Sequence, residues 1–478
     1  MLLVGAFLPA LAEIPEPVAL RLRAAGIPED AIGFTVQRLD DATPVLAHLP
    51  DRSRQPASTL KVLTSLVALE KLGPTYRGRT QLRTRGEAVD GLLAADLVLR
   101  GMGDVDFDWQ SLERMLQVLA LQGVREIRGD FVLDLSFFKP SRLDVGVAPF
   151  DEAPEFRYNV IPDALLLNSN LMQLTLASGD RDVRVAMIPP LESVVVDSTG
   201  MKLAPRSCEA WEDGWIIPTV AKGPKGALRI ALRGDFPPHC VADTSINVID
   251  RVMFADRLFR ALWRRLGGKF TGRTREGEMP ADARLVAEHR SRTLGEIVRD
   301  INKRSDNPIT RVIFLTLGAM SAFPGSDSTA RRADAEIRAW LEKRGVDPKG
   351  IVLENGSGLS RTEMISPNQL AAVLRHGAAS DWAPEFTASL PIVAVDGGMG
   401  TRLRDSPVAA RARLKTGTLR DVTAVAGYMK DESGRALVVV AMINHPLATK
   451  QVARPILDAL IDWVARSRRE PPAAKPGA

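Results

Sequence analysis

The chain has 478 residues, enough for two or three domains, and its composition is that of an ordinary globular protein. Apolar residues make up 45% and charged residues 25%, so a sizeable core can be buried. The net charge of +5 comes from scattered Lys and Arg residues, which excludes a nucleic-acid-binding stripe. General solubility explains this charge, and a mild attraction to an anionic polymer such as a cell wall is the alternative.

The first twelve residues predict export. Residues 1–11 are almost wholly apolar, and Ala10-Leu11-Ala12 matches an A-x-A cleavage site, so we expect a signal peptide over residues 1–12 and a periplasmic protein. The positively charged n-region is missing, which fits a truncated or misassigned start; a short buried element is the alternative. No other stretch approaches about 18 consecutive apolar residues, so we expect at most peripheral membrane contact.

The next segments change from helical to strand-like. Residues 55–72 carry apolar side chains at helical spacing and are followed by Gly73-Pro74, which predicts a helix. Residues 76–241 contain short apolar runs broken by Gly, Asp and Pro, a pattern typical of strands and turns, with one helical segment near 109–122.

The only two cysteines, Cys208 and Cys240, fall in this strand-like region. Their spacing does not match a zinc site, so no metal is expected. In an exported protein they can form a disulfide worth roughly 3–4 kcal/mol in the chain-entropy model. Two free buried thiols are the alternative.

Helical periodicity returns from about residue 246. Leu294, Ile297, Val298 and Ile301 follow the spacing of one helix face, and Asn307-Pro308 predicts the start of a second helix. Residues 411–418, 421–430 and 436–443 predict three successive strands, and Trp463 lies in a final helix. Residues 469–478 form a Pro/Ala/Lys tail that we expect to be disordered.

A first candidate catalytic pair lies at the start of the helix predicted over 55–72. Ser58 and Lys61 share a helix face, so the lysine amine can lie beside the serine hydroxyl at the positive helix N-terminus. Burial near a second cation would keep Lys61 partly neutral and able to act as the base that a serine nucleophile needs. Ser136 and Lys139 repeat the S-x-x-K pattern, but they end a strand-like run, so their side chains would not stack. A solvated helix start is the alternative for such a motif.

Ser305-Asp306-Asn307 lies between two predicted helices, where a short loop can direct side chains into a cleft. Ser305 can relay a proton, and the Asn307 amide can orient Lys61 and a substrate carbonyl. Capping of the following helix is the alternative. Ser245 and Asn247 also fit S-x-N, and we interpret them as an N-cap.

Lys415-Thr416-Gly417-Thr418 ends a predicted strand, with Gly417 allowing close backbone approach. Lys415 supplies positive charge, and the Thr416 and Thr418 hydroxyls can bind a carboxylate. The backbone N–H groups of Thr418 and Ser58 can form an oxyanion hole. An exposed hairpin edge is the alternative.

Together, S-x-x-K, S-D-N and K-T-G in this order are the signature of class A β-lactamases and penicillin-binding proteins.

The chain resembles one family in particular, the class C low-molecular-mass penicillin-binding proteins, which are D-alanyl-D-alanine carboxypeptidase/endopeptidases of the penicillin-binding protein 4 type. The likeness runs from about residue 30 to 465 and includes Gly101-Met102-Gly103-Asp104, Asn168, Asn355-Gly356-Ser357-Gly358-Leu359-Ser360-Arg361, Asp396-Gly397 with Arg402, and Lys415 to Leu419 followed by Ala426-Gly427-Tyr428. Two positions depart from the family: Asn355 stands where Asp is usual, and Val105 where Pro is usual.

The resemblance implies an α/β (α+β) fold: a penicillin-binding/β-lactamase-like transpeptidase domain with an antiparallel sheet flanked by helices. It assigns residues 13–75 and 242–468 to that domain, and residues 76–241 to a β-rich insertion with a smaller subdomain nested near 168–238. It also implies that Lys61 deprotonates Ser58, which attacks peptidoglycan peptides, while Ser305 and Lys415 help to protonate the leaving amine. β-Lactams would acylate the same serine, and no cofactor is implied.

Three other functions remain open. A class A β-lactamase adds a Glu-x-x-x-Asn after S-D-N; Glu155 and Asn159 have that spacing but precede Ser305, and no match lies between Ser305 and Lys415. A non-catalytic cell-wall-binding or penicillin-sensing protein would not need all the motif residues intact. A lipase-type esterase would not need Lys415 to bind a carboxylate.

Overall fold

The computed structural model describes residues 14–323 and 328–467. The predicted signal peptide at 1–12 and the predicted tail at 469–478 lie outside these ranges. Within them, no helix is long and apolar enough to cross a membrane.

The α-helices, in chain order, are α1 (Glu16–Ala24), α2 (Lys61–Leu72), α3 (Trp109–Leu121), α4 (Arg251–Arg265), α5 (Leu294–Arg304), α6 (Asn307–Ala319), α7 (Thr329–Lys343), α8 (Pro367–Ala379), α9 (Ala383–Ser389) and α10 (Lys450–Ala465). Short 3-10 helices span Glu29–Ala31, Ala57–Leu60, Arg157–Asn159, Leu167–Asn170, Cys208–Gly214, Pro224–Gly226 and Gly397–Met399.

The strands are β1 (Ile32–Arg38), β2 (Pro44–His48), β3 (Arg79–Thr84), β4 (Leu92–Leu93), β5 (Leu97–Met102), β6 (Glu126–Ile127), β7 (Phe131–Asp134), β8 (Met172–Ser178), β9 (Val183–Ile188), β10 (Val194–Leu203), β11 (Trp215–Lys222), β12 (Leu228–Phe236), β13 (Val241–Ile246), β14 (Lys269–Phe270), β15 (Thr274–Glu276), β16 (Arg284–Arg290), β17 (Arg413–Leu419), β18 (Val422–Lys430) and β19 (Ala436–Asn444). The last three match the three successive strands predicted from the sequence.

The chain divides into two compact units, the first made of residues 14–76, 293–323 and 330–467. Its centre is an antiparallel sheet in the order β17-β18-β19-β1-β2. Alternate residues of β19, such as Val439 and Ala441, pack in one core with α1 and α10, whereas α8 contacts the same strand without belonging to that core. Because successive side chains of a strand point to opposite faces, both faces are covered, which explains the nearly continuous apolar runs in β18 and β19.

The second unit comprises residues 77–292 and 328–329. It contains the mixed sheet β15-β7-β5-β3-β16 and the small sheet β14-β6-β4, packed with α3 and α4 around rings such as Phe131 and Phe259, whose centroids are 4.0 Å apart. Two three-stranded sheets, β10-β12-β11 and β13-β8-β9, contain the strands of the predicted nested subdomain at 168–238, and β13 lies just beyond its predicted end. A disulfide joins Cys208 to Cys240 with their Cα atoms 5.5 Å apart.

Two details of the second unit differ from the sequence-based expectations. The unit ends at Arg292 rather than at residue 241, because β14, β15 and β16 pair with β6, β7 and β3 over long sequence separations that local periodicity does not reveal. The N-cap predicted at Ser245 and Asn247 is wrong. Ser245 lies inside β13, and Asp250 caps α4 by accepting from the backbone N–H groups of Val252 and Met253.

Candidate active site

Ser58 lies in the 3-10 turn Ala57–Leu60, which leads directly into α2. The helix predicted over 55–72 therefore begins as a tighter turn, and this turn places Lys61 Nζ 2.9 Å from Ser58 Oγ. The preceding residue, Ala57, has φ 46°, a left-handed conformation that is uncommon for a residue with a Cβ. Such strain is held in place only by surrounding structure and is concentrated at functional sites.

Lys61 is fully buried beneath the half-buried Ser58. Its Nζ also donates to Asn307 Oδ1 at 2.6 Å and to the Ser357 carbonyl oxygen. Burial, followed by the positive charge of Lys415, holds the pKa of Lys61 well below its usual value. A neutral amine has two N–H donors and one lone pair. The two carbonyl oxygens can only accept, so they take the two N–H groups, and the lone pair is left for the Ser58 hydroxyl proton.

A second lysine–serine pair lies in the same unit. Lys415 Nζ is 2.9 Å from Ser305 Oγ and 2.8 Å from the Thr416 carbonyl oxygen. The Lys415 side chain is 1% exposed, and burial lowers its pKa to about 7. The exposed hairpin edge considered as the alternative for Lys415 is therefore wrong.

In the S-D-N loop, one residue caps a helix and the other two contact the lysines of the site. Ser305 ends α5 in the left-handed conformation, with φ 60° and ψ 41°. Asp306 is the N-cap of α6, since its side chain accepts from the Ile309 N–H at 2.9 Å. Because Asp306 takes the capping role, Ser305 is directed to Lys415, and Asn307, the first residue of α6, is directed to Lys61.

The K-T-G motif lies on β17, which is an edge strand of the sheet. The Leu414 N–H donates to Pro391 O, away from β18, so by strand alternation the N–H groups of Thr416 and Thr418 point to the same edge. A Cβ added to Gly417 would lie 2.7 Å from Pro56 O and 3.0 Å from Ser58 N. Only glycine lets this strand approach the Ser58 turn so closely, which brings the Thr418 N–H into the neighbourhood of the Ser58 N–H.

The sequence placed Asn355 beside the active site, but it did not identify the Ser357 carbonyl and Glu363 of the loop 354–363 as contributors to the site. The Ser357 carbonyl that accepts from Lys61 belongs to this loop, and its main chain donates to the buried Glu363. Asn355, the departure from the family that the sequence places on the active-site side, stabilises the loop: its Oδ1 accepts from Ser357 N at 3.0 Å, and its Nδ2 donates to Leu359 O at 3.0 Å. A backbone carbonyl carries no signal in a sequence, so only the tertiary structure identifies it.

The competing motif copies have other partners. Ser136 lies in a turn where its N–H donates to Asp134, and the Lys139 N–H donates to Thr329 Oγ1 at 2.7 Å, so this S-x-x-K does not form a helical pair. Glu155 accepts from Trp215 Nε1 at 2.9 Å in the second unit. Within the described residues, no group of three or more His, Cys, Asp or Glu side chains is placed to hold a metal ion.

A serine paired with a buried lysine at a helix start, a serine–lysine pair beside it and a K-T-G edge strand define the class of penicillin-recognising serine hydrolases. The chain belongs to the D-Ala-D-Ala carboxypeptidase 3 (S13) family, whose sequence model matches residues 16–467. This confirms the family predicted from the motifs and gives the chain's activity as that of a serine D-Ala-D-Ala carboxypeptidase.

Among curated proteins, a D-alanyl-D-alanine carboxypeptidase of Actinomadura sp. (strain R39) is 27% identical over 464 residues, which cover 92% of this chain and 83% of the relative. D-alanyl-D-alanine carboxypeptidase DacB of Haemophilus influenzae is 26% identical, covering 87% of this chain and 86% of the relative. The crystal structure of penicillin binding protein 4 (dacB) from Haemophilus influenzae superposes with a TM-score of 0.77 at 23% identity, covering 94% of this chain and 99% of that one. The same protein complexed with a novel β-lactam gives a TM-score of 0.73. The predicted fold is confirmed.

Proposed function

We propose that Ser58 is the residue acylated during hydrolysis of D-Ala-D-Ala peptides and of D-amino-acid cross-links in peptidoglycan, and that Lys61 is its base. The main support for this assignment is the set of three contacts around Lys61 Nζ. Lys61 Nζ contacts Asn307 Oδ1, the Ser357 carbonyl oxygen and, at 2.9 Å, Ser58 Oγ; in the neutral amine the first two take the N–H groups, which leaves the lone pair for the Ser58 hydroxyl. Burial and the charge of Lys415 lower the pKa of Lys61, and the neutral amine can remove the serine proton as the oxygen attacks.

The remaining motif residues have complementary roles in this proposal. Ser58 Oγ adds to the carbonyl carbon of the penultimate D-Ala, and the N–H groups of Ser58 and Thr418 hold the resulting oxyanion. The proton passes through Ser305 and Lys415 to the leaving amine, whose C–N bond breaks to give the acyl-serine. Water then attacks the acyl carbon, which releases the peptide acid and restores Ser58.

Carboxylate recognition falls to β17. Lys415, which contacts Ser305, supplies the cation, and the Thr416 and Thr418 hydroxyls of the same strand supply two donors. A substrate carboxylate placed there would stabilise the Lys415 ammonium and raise its pKa from about 7. A β-lactam carries a carboxylate and a reactive amide, so it would enter the same site and acylate Ser58. The Haemophilus influenzae structure with a bound β-lactam supports this part of the proposal.

We also propose that the protein works in the periplasm after export. The Cys208–Cys240 disulfide supports this location, because disulfides form and persist in oxidising compartments. N-terminal sequencing of protein purified from the envelope should begin at Glu13. Recovery from the cytoplasm with two alkylatable thiols would contradict the proposed location.

The nucleophile is tested by intact mass after incubation with penicillin. Wild-type protein should gain one penicilloyl group, and Ser58→Ala should gain none. Ser136→Ala, the other S-x-x-K serine, is the matched control and should label fully. Labelling that persists in Ser58→Ala would refute the assignment. Digestion of purified muropeptides by the wild-type enzyme then separates the carboxypeptidase and endopeptidase activities.

A further inference from the structure

The carboxylate of Glu363 is buried against the loop that borders the site, with only 1% of the residue exposed. Its Oε1 accepts the backbone N–H groups of Glu354 at 3.0 Å, Asn355 at 2.9 Å and Gly356 at 2.7 Å. Its Oε2 accepts the Gly358 N–H at 2.8 Å. Burial raises the pKa of the Glu363 carboxyl, whereas the four N–H groups that converge on it stabilise its charged form. The loop 354–358 is therefore folded around this one side chain.

The same loop contacts both members of the Ser58–Lys61 pair. Its Ser357 carbonyl accepts from Lys61 Nζ. Its Gly358, at φ 79°, packs so closely beneath the turn that an added Cβ would collide with the Ala57 carbonyl and lie 2.8 Å from Ser58 N. Any shift of the loop would move a hydrogen-bond acceptor of Lys61 and the support of the Ser58 N–H together.

The charges that face Lys61 are few and opposed. Lys415 and Arg311 are positive and add to the effect of burial in lowering the pKa of Lys61. Asp306 and Glu363 are negative and oppose it. Arg311, buried on α6, is in turn attracted to Glu363 and Glu354. Glu363 and Asp306 are thus the carboxylates that most strongly offset the cations around the proposed base.

We propose that Glu363 is a positioning residue for acylation: its carboxylate holds the loop 354–358 so that the Ser357 carbonyl engages Lys61. The proposal rests on the roles of Ser58 and Lys61 proposed above. Glu363 acts through the loop and through Lys61.

The test measures the rate of penicillin acylation across pH for the full-length wild type and for Glu363→Gln, which keeps the volume but removes the charge. An amide cannot accept all four N–H groups, so the loop should shift, and acylation should slow by roughly 10- to 100-fold. Loss of the negative charge lowers the pKa of Lys61, so the acidic limb of the profile should move to lower pH by about half a unit or more. Glu363→Asp keeps the negative charge, but its side chain is one methylene shorter, so the carboxylate cannot contact all four N–H groups. The acidic limb should return toward the wild-type position, while acylation remains slow.

Glu354→Gln is the matched control. This carboxylate belongs to the same loop and accepts from the Ser360 and Thr362 hydroxyls, but it is not among the largest charge effects on Lys61. The acidic limb of its pH profile should move less than that of Glu363→Gln. If neither the acidic limb of the pH profile nor the acylation rate changes in Glu363→Gln, the proposal is overturned. If Glu363→Gln does not fold, Glu363→Asp alone tests the proposal. A wild-type acylation rate in Glu363→Asp would then overturn the proposal. Failure of the wild type to acylate would instead overturn the role of Ser58.

Discussion

Lys415 Nζ lies 2.9 Å from Ser305 Oγ, the same separation as between Lys61 Nζ and Ser58 Oγ. Both lysines are buried, and burial lowers the pKa of each. The two pairs nevertheless have different surroundings. Lys61 has pure acceptors for its two N–H groups, which suits a base, whereas Lys415 lies on an edge strand beside two threonines, which suits anion binding. The site therefore separates proton removal from carboxylate recognition.

The first prediction is a bell-shaped pH dependence of kcat/KM. Lys61 acts as a neutral amine, so activity should fall as the pH drops through its lowered pKa. Lys415 binds as an ammonium, so activity should fall as the pH rises through its pKa, about 7 in the free enzyme. Because the two amines interact, the profile reports macroscopic pKa values of the pair. Measurement with a D-Ala-D-Ala peptide tests this. A profile that rises monotonically to pH 10 would exclude the ammonium role of Lys415.

The second prediction separates binding from proton transfer at Lys415. Losing a charge-assisted hydrogen bond costs about 1.5–3 kcal/mol, roughly 10- to 150-fold. Lys415→Ala should lower kcat/KM for a free-acid peptide by at least that factor. A C-terminally amidated peptide has no terminal charge to bind, so the wild-type enzyme should cleave it with a lower kcat/KM. For this peptide, Lys415→Ala should lower kcat/KM by a smaller factor than for the free acid. Equal losses on both peptides would show that Lys415 does not recognise the carboxylate.

The third prediction concerns Gly417. A Cβ in Gly417→Ala would approach Pro56 O to 2.7 Å, which forces the strand away from the Ser58 turn. Acylation by penicillin should slow by about 100-fold or more, as expected when an oxyanion donor is lost. Gly179→Ala is the control, since its added Cβ meets nothing within 4 Å. An unchanged rate in Gly417→Ala would show that the close approach is not required.

The fourth prediction is slow release of the penicilloyl group. No Glu-x-x-x-Asn follows Ser305 before Lys415, and Glu155, which has that spacing to Asn159, is engaged with Trp215 in the second unit. The acyl-enzyme should therefore persist for minutes. Its decay is measured by intact-protein mass spectrometry after free penicillin has been removed. Sustained hydrolysis on the order of 10 per second would support a β-lactamase instead.

Local sequence patterns predicted the three motifs, their helix, loop and strand contexts, and the last three strands of the first unit, but not β1 and β2. They did not predict the left-handed conformations of Ala57 and Ser305, because neither residue favours them and only tertiary packing imposes them. They also missed Glu363, since an isolated glutamate becomes informative only when four main-chain N–H groups converge on it. Long-range pairing of β16 with β3 likewise has no local signal.

The position of β17 at the edge of its sheet has one further consequence. An extended peptide lying along this edge can pair with the outward N–H groups of Thr416 and Thr418 as an additional strand. Such pairing uses the main chain of the substrate, which every peptide shares, rather than its side chains. The edge can therefore align a linear stem peptide and a branched cross-link by the same main-chain contacts, with only the group beyond the scissile bond differing.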